Sequence, residues 1–261
     1  MGILKKVVLP AAISATLGLA AAQAQELITN GSFENPSATF ANNGQGYMTL
    51  ASGSTTIPGW TVTNDSLAWV INGIPFGIAT PFGSFFLDLT GTHDNSSFAG
   101  MSQTIPTSPG QTYRVSVSLG ADQDVQAYSG QKSVSVIAGG SNATFVFDPT
   151  GSGNQWGTFT FDFVATSSAT GITIAGTGTG VGLQYLGFDN VSVVPVPPTL
   201  TIAPASPGQV TISWFPATAG YVLQESLSLA LSSWTNSPSG ATKPITVSAA
   251  SGTKFYRLFH P

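Results

Sequence analysis

Three acids stand where apolar neighbours predominate. Glu34 follows Phe33 in "ELITNGSFENP" (26–36), Asp88 lies inside "SFFLDLT" (84–90), and Asp189 lies inside "FDNVSVV" (188–194). A carboxylate in such a place either accepts backbone N–H groups at a turn or strand end, or lends oxygen to a hard cation. For Asp88, strand alternation puts Phe86 and Asp88 on one face and Phe85, Leu87 and Leu89 on the other. The expected role there is a strand-end acid bonding backbone N–H groups. Asp122 and Asp124 in "GADQDVQ" (120–126) look like the start of a calcium loop, but the later ligands are missing, so a solvated loop is expected.

Catalytic chemistry has little to draw on. The two histidines are His93, beside Asp94, and His260, one residue from the end. Cysteine is absent, which removes thiolate catalysis and sulfur-ligated zinc. No Gly-x-Ser-x-Gly elbow occurs. A glycosidase needs an acid pair held across a cleft, and nothing in the sequence marks one. The expectation is a protein that is not an enzyme.

Aromatic residues offer a different chemistry, the stacking of apolar faces while amides bond hydroxyls. Trp60 follows "PG" in a core-like stretch, and Trp69 is flanked by Leu67, Val70 and Ile71, so both read as core. Trp156 enters a strand beside Asn154 and Gln155. Tyr47 and Tyr128 lie in Gly-, Ser- and Gln-rich segments read as loops, where binding residues often sit, and Gln126 is placed to add hydrogen bonds. Tyr47, Tyr128, Gln126 and Trp156 are the candidate ligand-binding residues.

The elements that must position these groups are strands. "QTYRVSVSL" (111–119) sets Tyr113, Val115, Val117 and Leu119 on one face, and "WGTFTFDFV" (156–164) does the same with Phe159, Phe161 and Phe163. Weaker alternation marks 67–71, 84–90, 132–138, 143–148, 171–175 and 188–194, with Gly, Pro, Asn and Ser between. The glycine-rich 176–182 opens no helix and reads as a β–β connection. The expected class is all-β, a sandwich or jelly roll.

"VVPVPPT" (193–199) predicts a stiff connector. Beyond it, "QVTISW", "YVLQES" and "FYRLF" predict a second small β-domain. Lys5 and Lys6, the apolar stretch 7–22 and the small-x-small site Ala22-Gln23-Ala24 read as a secretory signal. The expected organisation is therefore a signal at 1–24, a first domain at 25–194, a linker at 195–199 and a second domain at 200–261. Export leaves 5 basic residues against 11 acidic ones, and no basic cluster, so nucleic acid is not an expected partner. No later apolar run is long enough to span a membrane. Only 7% of the chain is charged, against about 25% in an average protein, while 42% is hydrophobic. Its polar surface must be hydroxyl and amide, suited to neutral partners.

Six stretches occur in an order that resembles a known family: "LITNGSFENP", "IPGWTV", "FFLDLTG", "SQTIPTSPGQTYRVSVSLGAD", "FTFDFVATSSATGITI" and "GFDNVSVV". They resemble the galactose-binding-like jelly rolls of secreted carbohydrate-binding modules. More narrowly, they are similar to the domain of uncharacterised function in plant cell-wall proteins and bacterial choice-of-anchor proteins. The plant members carry cysteines that this chain lacks. The last sixty residues resemble a small fibronectin-III-like domain. The resemblance implies that the first and last strands lie side by side, bringing Glu34 to Asp189. It also implies a structural Ca2+ held by those two acids. The other reading is a pair of hydrogen-bonded turn carboxylates without a metal. The function implied is a secreted or cell-surface binding module for a neutral cell-wall or extracellular polysaccharide. The alternatives are a structural surface or matrix protein making protein contacts and, behind it, a glycan hydrolase.

Overall fold

The computed structural model describes residues 25–34, 40–73, 78–91, 98–177, 185–216, 218–249 and 253–261. The expected signal, His93 and Asp94, and most of the glycine-rich connection lie outside them.

Among these residues, eleven strands build a first sandwich: β1 (Tyr47–Leu50), β2 (Thr61–Asn64), β3 (Leu67–Ile71), β4 (Phe85–Asp88), β5 (Ala99–Pro106), β6 (Thr112–Asp122), β7 (Lys132–Ala138), β8 (Ser141–Phe147), β9 (Asn154–Val164), β10 (Ala169–Gly176) and β11 (Gly187–Pro195). One sheet has the order β1-β3-β4-β11-β6-β9 and the other β2-β5-β10-β7-β8. Every strand pairing is antiparallel. The fold is an all-β jelly-roll sandwich.

Alternation explains the core. Tyr113, Val115, Val117 and Leu119 of β6 are all buried, with Leu67 and Trp69 of β3 and Leu87 of β4 on the same inner face. Val134 and Val136 of β7 and Ile172 and Ile174 of β10 meet them from the second sheet. Trp60 and Trp69 are core, as their neighbours imply. Burying each Val, Leu, Ile or Phe side chain of this core contributes about 1.5–3 kcal/mol.

Six more strands follow: β12 (Thr199–Pro204), β13 (Gln209–Phe215), β14 (Val222–Ser226), β15 (Thr235–Asn236), β16 (Ile245–Ser248) and β17 (Phe255–Phe259). They form two three-stranded sheets, β12-β13-β16 and β15-β14-β17, around Ile212, Trp214 and Leu223. β11 runs to Pro195 and β12 starts at Thr199, so the expected linker is three residues between strands. No helix of the described residues is long and apolar enough to cross a membrane.

Candidate functional site: a carboxylate junction and an aromatic sheet face

The chain enters the first sandwich beside its last strand. The Leu27 N–H donates to the Val193 carbonyl at 3.0 Å, and the Val191 N–H donates to the Gly31 carbonyl at 2.9 Å. The Asn-Gly turn then closes, with the Phe33 N–H on the Asn30 carbonyl at 3.2 Å and the Trp60 indole N–H on the same oxygen at 3.1 Å. Asn30 and Phe33 take φ of 54° and 57°, and Asn190 on the facing strand takes 57°. A bulky residue holds that left-handed conformation only where its surroundings over-determine it. Here Phe33 is fully buried between Trp60 and Phe188, at ring distances of 5.9 and 6.2 Å.

With Phe33 turned inward, Glu34 reaches the start of β4. Its Oε1 accepts the N–H groups of Ser84 and Phe85 at 2.8 and 2.7 Å. Gly83 makes room for this carboxylate, since a Cβ there would collide with it. Oε2 of Glu34 bonds to no described residue. Asp189 is fully buried. Its Oδ2 accepts the Thr80 hydroxyl at 2.5 Å and its Oδ1 the Asn190 N–H at 2.6 Å. Burial pushes the Asp189 carboxyl up to about 7, against the pull of those two bonds, and the nearby charge of Glu34 adds to the rise. The structure thus sets Glu34 near enough to Asp189 for their charges to interact, as the resemblance implied.

This donor set is all oxygen, which suits a hard cation such as calcium. Two carboxylates fall short of its six to eight oxygens, so backbone carbonyls or water would complete the shell. Among the described residues no group of three or more His, Cys, Asp or Glu side chains gathers.

Asp88 follows its expected geometry. Phe86 and Asp88 share the outer face of the six-stranded sheet, while Leu87 and Leu89 enter the main core. Asp88 Oδ1 accepts the N–H groups of Thr90 and Leu186 at 2.9 and 3.1 Å. Burial raises its pKa to about 6, against these bonds, a Thr90 side-chain bond and the attraction of Lys132. Lys132 is itself buried, donates to the Ser129 carbonyl at 2.7 Å, and is lowered by burial to about 8. Asp122 departs from expectation. It is the buried last residue of β6, where its carboxylate accepts the Asp124 N–H at 2.9 Å; Asp124 is exposed.

The aromatic candidates meet on that same outer face. Ala68, Val70, Ile78, Phe86 and Tyr128 form a second buried cluster, with Tyr47, Trp156 and Tyr185 half-buried around it. Tyr128 is a correction: it is 0% exposed in a 3-10 turn, edge-on to Phe86 and Tyr185, so its ring cannot stack on a ligand from solvent. The polar composition around it hid how completely the 125–128 segment folds onto the sheet. Gln126, two residues earlier, is exposed. Tyr47 begins β1 rather than a loop, paired with Val70.

Trp156 on β9 lies over Gly120, where a Cβ would collide with its ring. Its indole N–H donates to the Ala79 carbonyl at 2.8 Å, and Asn154 donates to the same oxygen at 2.6 Å. Asn72 adds bonds to Thr80 and Gly83. The loop between β3 and β4 is therefore tied across the sheet by Asn72, Asn154, Trp156, Asp189 and Glu34. Tyr47 and Trp156 stand on opposite edge strands, roughly 24 Å apart at the usual strand spacing. Tyr185 and the β3–β4 loop were missed from sequence. Tyr185 follows a glycine-rich run with no period of its own.

Among curated proteins, none matches this sequence. Several solved structures are similar. The carbohydrate-binding module TmCBM61, in complex with β-1,4-galactotriose, is 18% identical over 66% of this chain and 99% of its own, with a TM-score of 0.40. The xylan-binding CBM22-1 domain of Paenibacillus barcinonensis Xyn10C is 14% identical over 57% and 93%, with a TM-score of 0.34. An arabinose-bound α-L-arabinofuranosidase is 14% identical with a TM-score of 0.43; the alignment covers 65% of this chain but only 26% of that enzyme. The profile of a family described as a protein of unknown function matches residues 26–182, more than half of the sequence, and the chain belongs to that family, DUF642.

Proposed function

We propose that this protein is a secreted, non-catalytic module that binds a neutral cell-wall or extracellular polysaccharide, and that Ca2+ at Glu34 and Asp189 pins its chain ends. The observation that carries the binding reading is the outer sheet face, where Tyr47, Tyr185 and Trp156 stay half-exposed around a buried aromatic floor. Half-exposed rings present flat apolar surface to a sugar, and amides such as exposed Gln126 bond its hydroxyls. A surface with 7% charged residues in the whole chain suits an uncharged polymer. The oxygen donors at the chain-entry junction, with one Glu34 oxygen unused by described residues, support the cation.

The test is retention on insoluble cellulose, xylan, pectin and chitin, each with calcium and with chelator. Saturable retention on one of them, weakened by Tyr47→Ala, is the expected result. No retention on any would overturn the reading. A second reading, a surface protein making protein contacts, is favoured by Phe215, Leu227 and Leu231, which are 81%, 75% and 79% exposed in the C-terminal sandwich. Concentration-dependent self-association without retention would select it.

A further inference from the structure

A cleft of about 540 Å³ lies where the first sandwich, the connector and the C-terminal sandwich meet. One side comes from the β5–β6 turn, with Ser108, Gln111 and Tyr113, and from Gln25 at the chain entry. The other comes from Tyr221 and His260, and the connector residues Pro195 to Pro197 run between. The C-terminal sandwich approaches the first here: the Thr218 hydroxyl donates to the Val196 carbonyl of the connector at 3.4 Å, and a Cβ on Gly110 would lie 3.9 Å from Ala219.

The polar groups in this cleft are only partly used. Gln111 is 8% exposed and donates its amide N–H groups to the carbonyls of Thr112 and Val196, at 2.8 and 3.3 Å. Its Oε1 is left as an acceptor. The Tyr113 hydroxyl accepts the Ser108 N–H at 2.8 Å, which leaves its own proton to give. The Ser108 hydroxyl, the Gln25 amide and the Tyr221 hydroxyl bond to no described residue. Tyr221 and His260 meet edge-on at 5.0 Å, and the His260 ring rests on Gly220, where a Cβ would collide with it. This aromatic pair is thus held in place before any ligand arrives. Among the described residues, no Asp, Glu, Lys or Arg lines the cleft.

We infer that this cleft is a second binding site, for a short neutral oligosaccharide that stacks on Tyr221 and bonds Ser108, Gln111 and Gln25. The inference rests on the glycan-binding reading and adds a site to it. The chemistry is specific: hydroxyls and amides without a described partner exchange bonds with sugar hydroxyls, and no described Asp, Glu, Lys or Arg side chain lines the cleft to select an ionic ligand. Cleft size fits a small ligand, and junctions between domains are common places for such sites. Because both sandwiches contribute, a bound sugar would also hold them together across the three-residue connector.

The test uses the full mature chain titrated calorimetrically with soluble xylo-, cello- and galacto-oligosaccharides. Tyr221→Ala, on a half-exposed ring, should weaken binding at this site by about tenfold, the usual effect of truncating a central aromatic contact. Ser108→Ala, on an exposed turn, should weaken it less while leaving the melting curve unchanged. Ligand should also slow proteolysis at the connector in wild type and not in Tyr221→Ala. Binding that Tyr47→Ala abolishes and both cleft variants leave intact would overturn the cleft while keeping the glycan reading. Absence of binding by wild type to every oligosaccharide would overturn both. Protection of the connector by a proline-rich peptide, with none by sugars, would replace the ligand class and refute the inference.

Discussion

Replacing Asp88 by Asn isolates the energetic effect of a buried acid on the outer sheet face. The amide keeps an oxygen to accept the Thr90 and Leu186 N–H groups, so the change removes charge more than contact. In the folded chain the carboxyl titrates at about 6, against an ordinary value of 3.8. Below pH 4 both the folded and the unfolded chain carry the proton, and the group has no effect on stability. Between about 4 and 6 the unfolded chain releases its proton first, so stability falls as pH rises. Above 6 the loss is complete, at about 3 kcal/mol for a shift of this size. The variant never pays this cost. It should therefore match wild type at pH 4 and exceed it by about 3 kcal/mol at pH 8, roughly 6–12 °C in Tm for a chain of this length. The assay is thermal unfolding of both proteins in chelator from pH 4 to 8. The difference between the two curves carries the test, because the other acids are common to both and Lys132, whose pKa the Asp88 charge raises, titrates only at the upper end of this range. A gap that stays constant across this range would refute the reasoning, as would a variant less stable than wild type at pH 8.

Two further predictions concern the chain-entry junction. Glu34→Gln keeps an oxygen for Ser84 and Phe85 but removes a charge, so in chelator it should melt close to wild type; saturating calcium at about 100 times its Kd should stabilise wild type by about 2.7 kcal/mol and the variant much less. Equal calcium responses in thermal melts would remove the cation from Glu34. Gly83→Ala should displace the Glu34 carboxylate from two N–H groups and cost about 2 kcal/mol, a loss that largely disappears when measured in a Glu34→Ala background. An additive double mutant in urea unfolding would show that the two residues do not act through one another.

Period-2 patterning made the strands legible wherever a strand buries one face and exposes the other. β3 and β7 coincide with the expected 67–71 and 132–138, and β6 and β9 lie within three residues of their expected bounds. β1, β2 and β5 escaped: the first two are four residues long without the apolar run that marked β4, and in β5 the buried Gln103 stands between Met101 and Ile105 and breaks the apolar alternation. Phe86 and Asp88 were placed on the correct face for the same reason that Leu87 was placed in the core: a strand fixes the side of every second residue once one is known. Asp122 was misplaced because a run of acids and glutamines looks solvated, while the buried end of β6 extends three residues beyond the alternating stretch.

The outer face shows why the site was harder to read than the fold. Composition picked out Tyr47, Tyr128 and Trp156 as exposed aromatic candidates; the fold gathers all three on one face, but their depth depends on what lies over them. Two glycines of one cross-strand row, Gly187 and Gly120, lower the sheet surface so that Ile78 and Trp156 can lie flat on it. The 125–128 segment and the β3–β4 loop then close over the middle of the face, burying Tyr128 and leaving Tyr47, Tyr185 and Trp156 at the edges. The loop is tied down by Thr80 on Asp189 and by Ser84 and Phe85 on Glu34, the same two acids that would share a cation. A cation at that junction would thus do more than join the chain ends: it would fix the loop on which Trp156 closes. Calcium dependence of glycan retention then follows even if no sugar touches the metal, and the loss of retention in chelator should be accompanied by a change in Trp156 fluorescence.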